Sequence, residues 1–190
     1  MTGPHDELEV KARVDDPEGL ARLVQAAGAR LEFRGAMTDR RFDRDGTLAA
    51  RDEVVRLRAY APDAGPEYGM LGWKGPSSTR GAYRHRPELE LRVDDVGAAR
   101  ELLTRLGFAE TLRIDRRVAV YRLGGATLRL EWYPEMDVLV EIEGDPDAIE
   151  RAVAATGLER ERFIPSSLPH FVAAYERRTG RRARIADSLP

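Results

Sequence analysis

Three segments of the chain repeat one pattern, in which alternating hydrophobic and polar residues lead into a helical spacing of hydrophobic residues. They are residues 7–28, 88–107 and 141–157, and each begins with Glu-x-Glu and ends at a glycine. Strict alternation is typical of a β-strand with one buried face, whereas apolar residues spaced three and four apart indicate an amphipathic helix. The repeat therefore predicts three strand–helix units.

The junctions within these units carry residues that begin and end helices. Aspartates precede each helical run as N-cap candidates, and a proline opens the helix in two units. These residues are Asp15, Asp16, Asp94, Asp95 and Asp145, with Pro17 and Pro146. The glycine that ends each unit is suited to a C-cap: Gly28, Gly107 and Gly157.

Further alternating runs between the units predict more strands, separated by turn residues. These runs cover residues 37–43, 54–60, 68–74, 113–122 and 126–132. Gly124-Gly125 joins the last two runs and predicts a tight hairpin, and residues 169–178 predict a final short helix. We expect about eight strands and four helices, mostly antiparallel, in one domain over residues 1–180, followed by a frayed basic tail, residues 181–190.

Composition excludes several classes of protein. The 190 residues are 42% hydrophobic and include no cysteine, which favours a globular chain without a disulfide framework, thiolate metal site or cysteine nucleophile. No apolar run is long enough to cross a membrane, and residues 1–9 lack the pattern of a secretion signal. We therefore expect a cytoplasmic protein without a membrane partner.

Charge argues against nucleic acid as a partner. The 31 basic and 33 acidic residues give a net charge of −2, whereas a general nucleic-acid binder needs a basic surface. Only two of the basic residues are lysines, Lys11 and Lys74. In a chain this rich in arginine, a remaining lysine marks a position that favours a compact point charge.

The alternating strands place charged residues on one face and apolar residues on the other. On the first strand, Glu7, Glu9 and Lys11 share one face. The corresponding faces of later strands carry Arg56, Arg58, Lys74, Arg84, Arg86, Glu88, Glu90, Arg92, Arg129, Glu131, Glu141 and Glu143. A solvent-exposed strand face would also be polar, but it would include Thr, Ser and Gln, which are nearly absent here. Because the helices must pack on the apolar face, we expect the charged face to line the interior of a closed barrel.

Such an interior suits a particular chemistry. Clustered glutamates bind hard divalent cations such as Mg²⁺, Mn²⁺ or Ca²⁺, and clustered arginines bind oxyanions. Together they indicate phosphoryl transfer. The sequence contains no phosphate loop, dinucleotide fingerprint or serine elbow that would indicate a different chemistry. His5, His85 and His170 are too scattered for a zinc motif.

The motif Glu7-Leu8-Glu9-Val10-Lys11 resembles the ExExK motif of the CYTH family, the triphosphate tunnel metalloenzymes. Further motifs in the family's order extend the resemblance over about residues 5–178. They are Val54-Val55-Arg56-Leu57-Arg58, Lys74-Gly75-Pro76, Arg86-Pro87-Glu88-Leu89-Glu90, Arg116-Arg117, Leu128-Arg129-Leu130-Glu131 and Val140-Glu141-Ile142-Glu143.

The resemblance implies an α+β fold: a single eight-stranded antiparallel barrel that forms a tunnel, with a charged interior and helices outside. It implies Mg²⁺- or Mn²⁺-dependent action on a small-molecule triphosphate. The metal ligands would be Glu7, Glu9, Glu90, Glu131, Glu141 and Glu143, with Glu88 as a further contributor. The phosphates would contact Lys11, Arg56, Arg58, Lys74 and Arg117, with Arg116 and Arg113 as alternates. Lys11 and Glu9 would be catalytic, with Lys11 beside the reacting phosphoryl group.

Two positions bear on these assignments. Parity favours Arg117 over Arg116 for the interior, because Arg116 shares a face with Val118 and Val120. The family commonly has Asp where this chain has Glu131, which changes the reach to a metal by one methylene. Near the C-terminus the family often has a Ser-Tyr pair, whereas this chain offers Ser167 and His170 as polar contacts at the end of the tunnel.

Three functions stay open at this point. The first is hydrolysis of inorganic tripolyphosphate, a nucleoside triphosphate or thiamine triphosphate. The second is cyclisation of ATP to cyclic AMP and pyrophosphate, as in class IV adenylyl cyclases, and the third is phosphate binding without turnover. A cyclase must hold a base, but only 7% of the chain is aromatic. The candidates for stacking on a base are Trp73, Trp132 and Tyr133, and both tryptophans fall on the apolar face. That face is either covered by helices or the surface of a homodimer.

Overall fold

The computed structural model describes residues 5–186, and within that range the chain forms nine strands and four α-helices. The strands are β1 His5–Val14, β2 Arg30–Asp43, β3 Val54–Pro62, β4 Tyr68–Lys74, β5 Ser78–Arg80, β6 Tyr83–Val93, β7 Ala109–Leu123, β8 Ala126–Trp132 and β9 Val138–Glu143. The helices are α1 Pro17–Ala26, α2 Val96–Arg105, α3 Pro146–Ala155 and α4 Leu168–Thr179.

Eight of these strands close into a barrel. Their order is β1-β9-β8-β7-β2-β3-β4-β6, and pairing of β6 with β1 completes the ring. Every pairing is antiparallel, and the short β5 lies outside the ring against β6. This confirms the predicted α+β barrel, and the hairpin at Gly124-Gly125 joins β7 to β8 as expected.

The three strand–helix units are present as β1–α1, β6–α2 and β9–α3. Asp16 and Asp95 cap their helices, since each side chain accepts a hydrogen bond of 2.8 Å from a backbone N–H of the first turn. Pro17 and Pro146 occupy the first helical positions. Asp145 occupies the N-cap position of α3 without a capping hydrogen bond from its side chain, so the side-chain caps form in two of the three units.

Three helices pack on the outer face of the barrel. Helices α1 and α3 meet over β1, β8 and β9, and the core there includes Val10, Leu128 and Ile149. Helix α2 lies over β3 and β4, where Leu103 packs near Phe42. This arrangement leaves the opposite, charged faces of the strands pointing inward.

The fourth helix, α4, covers one end of the barrel. Its Leu168 and Phe171 pack with Ile114 and Leu139, which lie on the same strand faces as the interior charges of β7 and β9. Tyr133, just after β8, belongs to the same cluster. Helix α4 therefore borders the interior of the barrel.

The ordered elements of the structure extend further along the chain than the sequence predicts. Strands β2 and β7 begin several residues earlier than predicted and form the longest pairing of the barrel. The expected frayed tail is wrong for residues 181–186: Arg184 pairs with Glu135, and the N–H of Asp115 donates to the carbonyl of Ile185 at 2.8 Å. Residues 187–190 of the tail lie outside the described range. No helix within the described range is both long enough and apolar enough for a membrane crossing.

Candidate active site

Among the described residues, nine cations and eight carboxylates from eight strands line the interior of the barrel. The cations are Lys11, Arg41, Arg56, Arg58, Lys74, Arg84, Arg86, Arg116 and Arg129. The carboxylates are Glu7, Glu9, Asp39, Glu88, Glu90, Glu131, Glu141 and Glu143. Most are buried, so each depends on an opposite charge or a hydrogen bond for its stability.

Three carboxylates come together on β1 and β9. Oxygens of Glu7, Glu9 and Glu141 lie within 4.8 Å of one another. Alternation places Glu7 and Glu9 on one face of β1, and the register sets Glu141 of β9 opposite Lys11, so the third carboxylate meets the first two. Clustered carboxylate oxygens are the donors that Mg²⁺ and Mn²⁺ favour, and this group therefore fits a divalent cation.

A fourth glutamate extends this group. Burial raises the pKa of Glu143 to about 7, and the negative charges of Glu7 and Glu141 act in the same direction, while a neighbouring arginine opposes them. For Glu7, burial alone would raise the pKa, but the ammonium group of Lys74 lowers it below the ordinary value. Glu143 therefore takes up a proton at a higher pH than an ordinary glutamate, and the protonated carboxyl donates a hydrogen bond to Glu7. A cation bound here would displace that proton.

Lys11 lies between two members of the cluster. Its Nζ is 2.9 Å from Glu9 Oε1 and also pairs with Glu141. Burial would lower the pKa of Lys11, but the charges of Glu141 and Glu9 raise it above its ordinary range. Lys11 is therefore a permanent cation beside the acidic cluster.

The second lysine, Lys74, lies on β4, which only β6 separates from β1. Lys74 Nζ is 2.8 Å from Glu7 Oε2 and also pairs with Glu88. Burial and the nearby Arg56 nevertheless lower the pKa of Lys74 to about 8. A phosphate oxygen in this position would stabilise the charged form of Lys74.

Arginines of β3 face the glutamates of β6. Arg56 Nη2 is 3.0 Å from Glu90 Oε1 and 3.3 Å from Glu88 Oε2, and Arg58 also pairs with Glu90. The predicted metal ligand Glu90 is therefore paired with the arginines of β3 and is not part of the acidic cluster. Glu131, another predicted ligand, is likewise held by Arg116, with 3.3 Å between Arg116 Nη1 and Glu131 Oε1.

Two cavities occupy the interior. The outer chamber, of about 500 Å³, lies where β1 begins; its charged lining is Asp6, Glu7, Arg56, Arg58, Arg80, Glu88, Glu90, Arg122, Arg129, Glu143 and Asp145. The inner chamber, of about 260 Å³, lies beside Ser167–Pro169 at the start of α4; its charged lining is Glu9, Lys11, Asp39, Arg41, Asp52, Arg56, Lys74, Arg84, Arg86, Arg116, Arg129, Glu131 and Glu141.

The two chambers differ in charge. Cations outnumber carboxylates by eight to five around the inner chamber, whereas carboxylates slightly outnumber cations around the outer chamber. Arg56 and Arg129 line both. The inner chamber therefore suits an anion, with the acidic cluster at its border.

The parity prediction for β7 is wrong. Arg116 faces the interior, where it contacts Glu131 and Asp39, whereas Arg117 pairs with Asp63 at 2.7 Å and its side chain is 59% exposed. Val118 misled the prediction because it also points inward, into an apolar cluster that fills part of the barrel. A valine on a strand face is therefore not sufficient evidence that the face is the outer one.

Arg113, the other alternate on β7, also lies away from both chambers. Its Nε is 2.9 Å from Asp115, and it borders an outer groove. Of the three predicted β7 cations, the structure therefore places only Arg116 with the other charged groups of the interior.

Sequence reasoning missed several interior groups as site residues. They are Asp39, Arg41, Arg84, Arg86 and Arg129. Tyr133, an aromatic candidate for base stacking, lies here beside Arg116, a contact that the sequence does not indicate. Alternation along β2 could have found Asp39 and Arg41, which share a face with the buried Met37. Tyr133 follows the last residue of β8 and carried no periodic signal.

Some of the polar and aromatic residues near the ends of the tunnel line the chambers, and others lie outside them. Ser167 borders the inner chamber, whereas His170 lines a neighbouring groove that shares Ser77 and Ser167 with that chamber. No aromatic side chain lines the outer chamber among the described residues, and Trp132 lies on the outer face beside Arg117. The tunnel therefore offers no aromatic platform for a base at the outer chamber.

Comparison with known proteins gives structural likenesses. No protein-family model matches the chain, and no curated protein matches it. A candidate adenylate cyclase from Vibrio parahaemolyticus has a TM-score of 0.74 at 17% identity, over 90% of this chain and 99% of that chain. The PH1012 protein from Pyrococcus horikoshii OT3 has a TM-score of 0.68 at 24% identity, over 87% and 98%.

A third likeness comes from a plant protein. HpAC1 from Hippeastrum, a candidate adenylyl cyclase with a dominant triphosphatase activity, has a TM-score of 0.62 at 20% identity, over 97% of this chain and 98% of that chain. The TM-scores establish a shared fold. The chain therefore has the closed barrel of these proteins, which is the fold that its resemblance to the triphosphate tunnel metalloenzymes implies.

Proposed function

We propose that this chain is a divalent-metal-dependent triphosphatase that removes the terminal phosphoryl group of a small triphosphate. One observation carries the proposal: a cluster of three carboxylates borders a buried chamber in which cations outnumber carboxylates. A fold alone does not define a reaction, so the argument depends on these groups and their positions.

The acidic cluster is the proposed metal site. Glu7, Glu9 and Glu141 would hold Mg²⁺ or Mn²⁺, with Glu143 as a fourth donor once its proton is lost. When bound, the metal would neutralise phosphate charge and activate a water molecule.

The cations of the chain would bind and orient the phosphates. Arg56 and Arg129 line both chambers and would contact the middle of a phosphate chain, while Arg116 would contact the part in the inner chamber. Lys11, which stays charged beside the acidic cluster, would stabilise the negative charge that develops on the transferred phosphoryl group. Burial strengthens each of these interactions, because little water competes with them.

Hydrolysis is favoured over cyclisation by the lining of the outer chamber. A cyclase must hold the adenine of ATP, yet the described residues around this chamber are charged, small or aliphatic. The neighbour HpAC1 from Hippeastrum, a candidate adenylyl cyclase, has a dominant triphosphatase activity, which agrees with this choice. Inorganic tripolyphosphate needs no base contact and is the substrate that the lining fits best.

The test is a turnover screen on the purified chain. Tripolyphosphate, ATP and thiamine triphosphate are each supplied with Mg²⁺ or Mn²⁺, and phosphate, pyrophosphate and cyclic AMP are measured together. Phosphate release that needs the metal is the expected result. Cyclic AMP with pyrophosphate would establish the cyclase instead, and binding of tripolyphosphate without any product would establish a binding module.

A matched pair of variants tests the metal assignment. Glu9→Gln removes one carboxylate of the cluster, and we expect it to lower turnover about 100-fold or more, because an active-site metal ion contributes several kcal/mol to transition-state stabilisation. Glu18→Gln makes the same chemical change on the exposed side of α1 and should leave turnover unchanged. Circular dichroism confirms that both variants fold. Equal activity of Glu9→Gln and the wild type would refute the metal assignment.

A further inference from the structure

Both carboxylate oxygens of Glu131 are engaged by other side chains. The hydroxyl of Tyr133 donates to Glu131 Oε2 at 2.6 Å, and Arg116 Nη1 lies 3.3 Å from Glu131 Oε1. Glu131 is only 1% exposed, so these two groups supply its polar contacts on either side. Glu141 is also paired through both oxygens, with Arg129 and Lys11, so pairing alone does not separate Glu131 from the acidic cluster, and its position has to decide.

The same network fixes Arg116. Its Nη1 donates to the Tyr133 hydroxyl at 3.2 Å, and its Nη2 lies 3.4 Å from Asp39 Oδ2. The ring of Tyr133 packs with Leu168 of α4, which holds the hydroxyl in place. Glu131, Tyr133 and Asp39 therefore surround one guanidinium group at the wall of the inner chamber.

Glu131 also lies apart from the acidic cluster. The carboxylates with oxygens within 4.8 Å of one another are Glu7, Glu9 and Glu141, and Glu131 is not among them. At this position the resemblance implies a metal ligand, commonly Asp. A glutamate is one methylene longer, and here the longer side chain reaches Tyr133 and Arg116.

We infer that Glu131 in this chain is not a metal ligand, and that Glu131 and Tyr133 are positioning residues that hold Arg116 toward the phosphate chain in the inner chamber. The inference rests on the proposed function for the identity of the ligand. It divides the buried glutamates into two classes, one that binds metal and one that orients a cation.

The first test measures metal binding without turnover. Mn²⁺ affinity of the full chain is measured by electron paramagnetic resonance for the wild type, Glu131→Gln and Glu141→Gln. We expect Glu141→Gln to weaken binding about tenfold or more and Glu131→Gln to stay within about twofold of the wild type. Equal losses in the two variants would make Glu131 a metal ligand and overturn the inference.

The second test measures positioning with an uncharged change. Tyr133→Phe removes only the hydroxyl, and Tyr121→Phe does the same at a buried tyrosine whose hydroxyl is 3.5 Å from Arg34, away from both chambers. In the presence of EDTA, we expect Tyr133→Phe to weaken tripolyphosphate binding about three- to tenfold by calorimetry, with Mn²⁺ affinity unchanged. Tyr121→Phe should change neither affinity, and equal tripolyphosphate affinities of the two variants would overturn the positioning role.

The two proposals fail in different ways. A wild-type chain that binds Mn²⁺ and tripolyphosphate but never releases phosphate would refute the triphosphatase and leave both binding comparisons valid. A wild-type chain that binds no Mn²⁺ would refute the metal assignment and this inference together. Thermal melts of each variant establish that the comparisons are made on folded protein.

Discussion

Arg116 and Arg117 provide a test of the barrel from two neighbouring residues of the same type. Arg116 points into the interior, where it lies between Asp39 and Glu131, and Arg117 points outward to Asp63. Replacing each arginine with glutamine makes the same chemical change on opposite faces of one strand. Any difference between the variants therefore reports the environment and not the substitution.

The structure sets the size of the expected difference. Breaking a buried ion pair by removing one partner costs about 3–5 kcal/mol, because the remaining charge stays buried. Arg116→Gln removes a cation from Asp39 and Glu131, which are both 1% exposed. Asp39 then keeps the more distant Arg56, and Glu131 keeps the hydrogen bond from Tyr133. The pair between Arg117 and Asp63 is exposed on both sides, and such pairs contribute about 0.2–1 kcal/mol. In a chain of this length each kcal/mol moves the melting temperature by about 2–4 °C.

We therefore expect Arg116→Gln to melt roughly 6–20 °C below the wild type and Arg117→Gln to melt within about 4 °C of it. Differential scanning calorimetry without metal or phosphate measures both. Urea unfolding followed by circular dichroism gives the free energies independently. If Arg117→Gln proves the more destabilising, or if the two variants melt together, the assignment of faces on β7 is wrong.

Three further changes follow from local geometry. Gly35→Ala should cost about 1–3 kcal/mol in urea unfolding, because its Cβ would lie 2.2 Å from the Ala61 carbonyl oxygen, whereas Gly97→Ala in α2 should be neutral or stabilising. Glu143 has a pKa of about 7 in the folded chain against 4.5 when unfolded, so the metal-free wild type should lose stability as the pH rises from about 5 to 7. In thermal melts, the melting temperature of Glu143→Gln should not show this dependence on pH. Phe171→Ala should lower the free energy of unfolding by about 3–5 kcal/mol, because it removes the buried ring that packs α4 against the end of the barrel.

The alternation of β1 explains why so much of the fold could be predicted from sequence. Glu7, Glu9 and Lys11 lie on one face and Val10 and Ala12 on the other, and the structure buries both faces, one in the tunnel and one under helices. Local periodicity is sufficient to assign these faces, because side-chain direction in a strand has a fixed period of two. The closed barrel then follows from the need to cover the apolar face.

Positions that depend on filling the interior could not be predicted in this way. The interior faces of β2, β3 and β7 change from charged to apolar along their length, where Met37, Tyr60 and Val118 pack together. Periodicity identifies a face but does not say which side of a barrel it occupies once both sides carry apolar residues. The error at Arg116 and the omission of Asp39 both come from this change.

That apolar cluster also bears on why the rest of the interior is charged. Met37, Tyr60 and Val118 show that side chains without charge can fill this barrel. Buried ion pairs are often no more stable than apolar residues of similar volume, so the fold by itself does not require Arg56 or Glu141 in the interior. The charged groups lie around two cavities, and in the inner one cations exceed carboxylates. A bound polyanion with its metal ions would balance that excess and stabilise the folded chain by mass action, which gives the charges a reason that the fold alone does not supply.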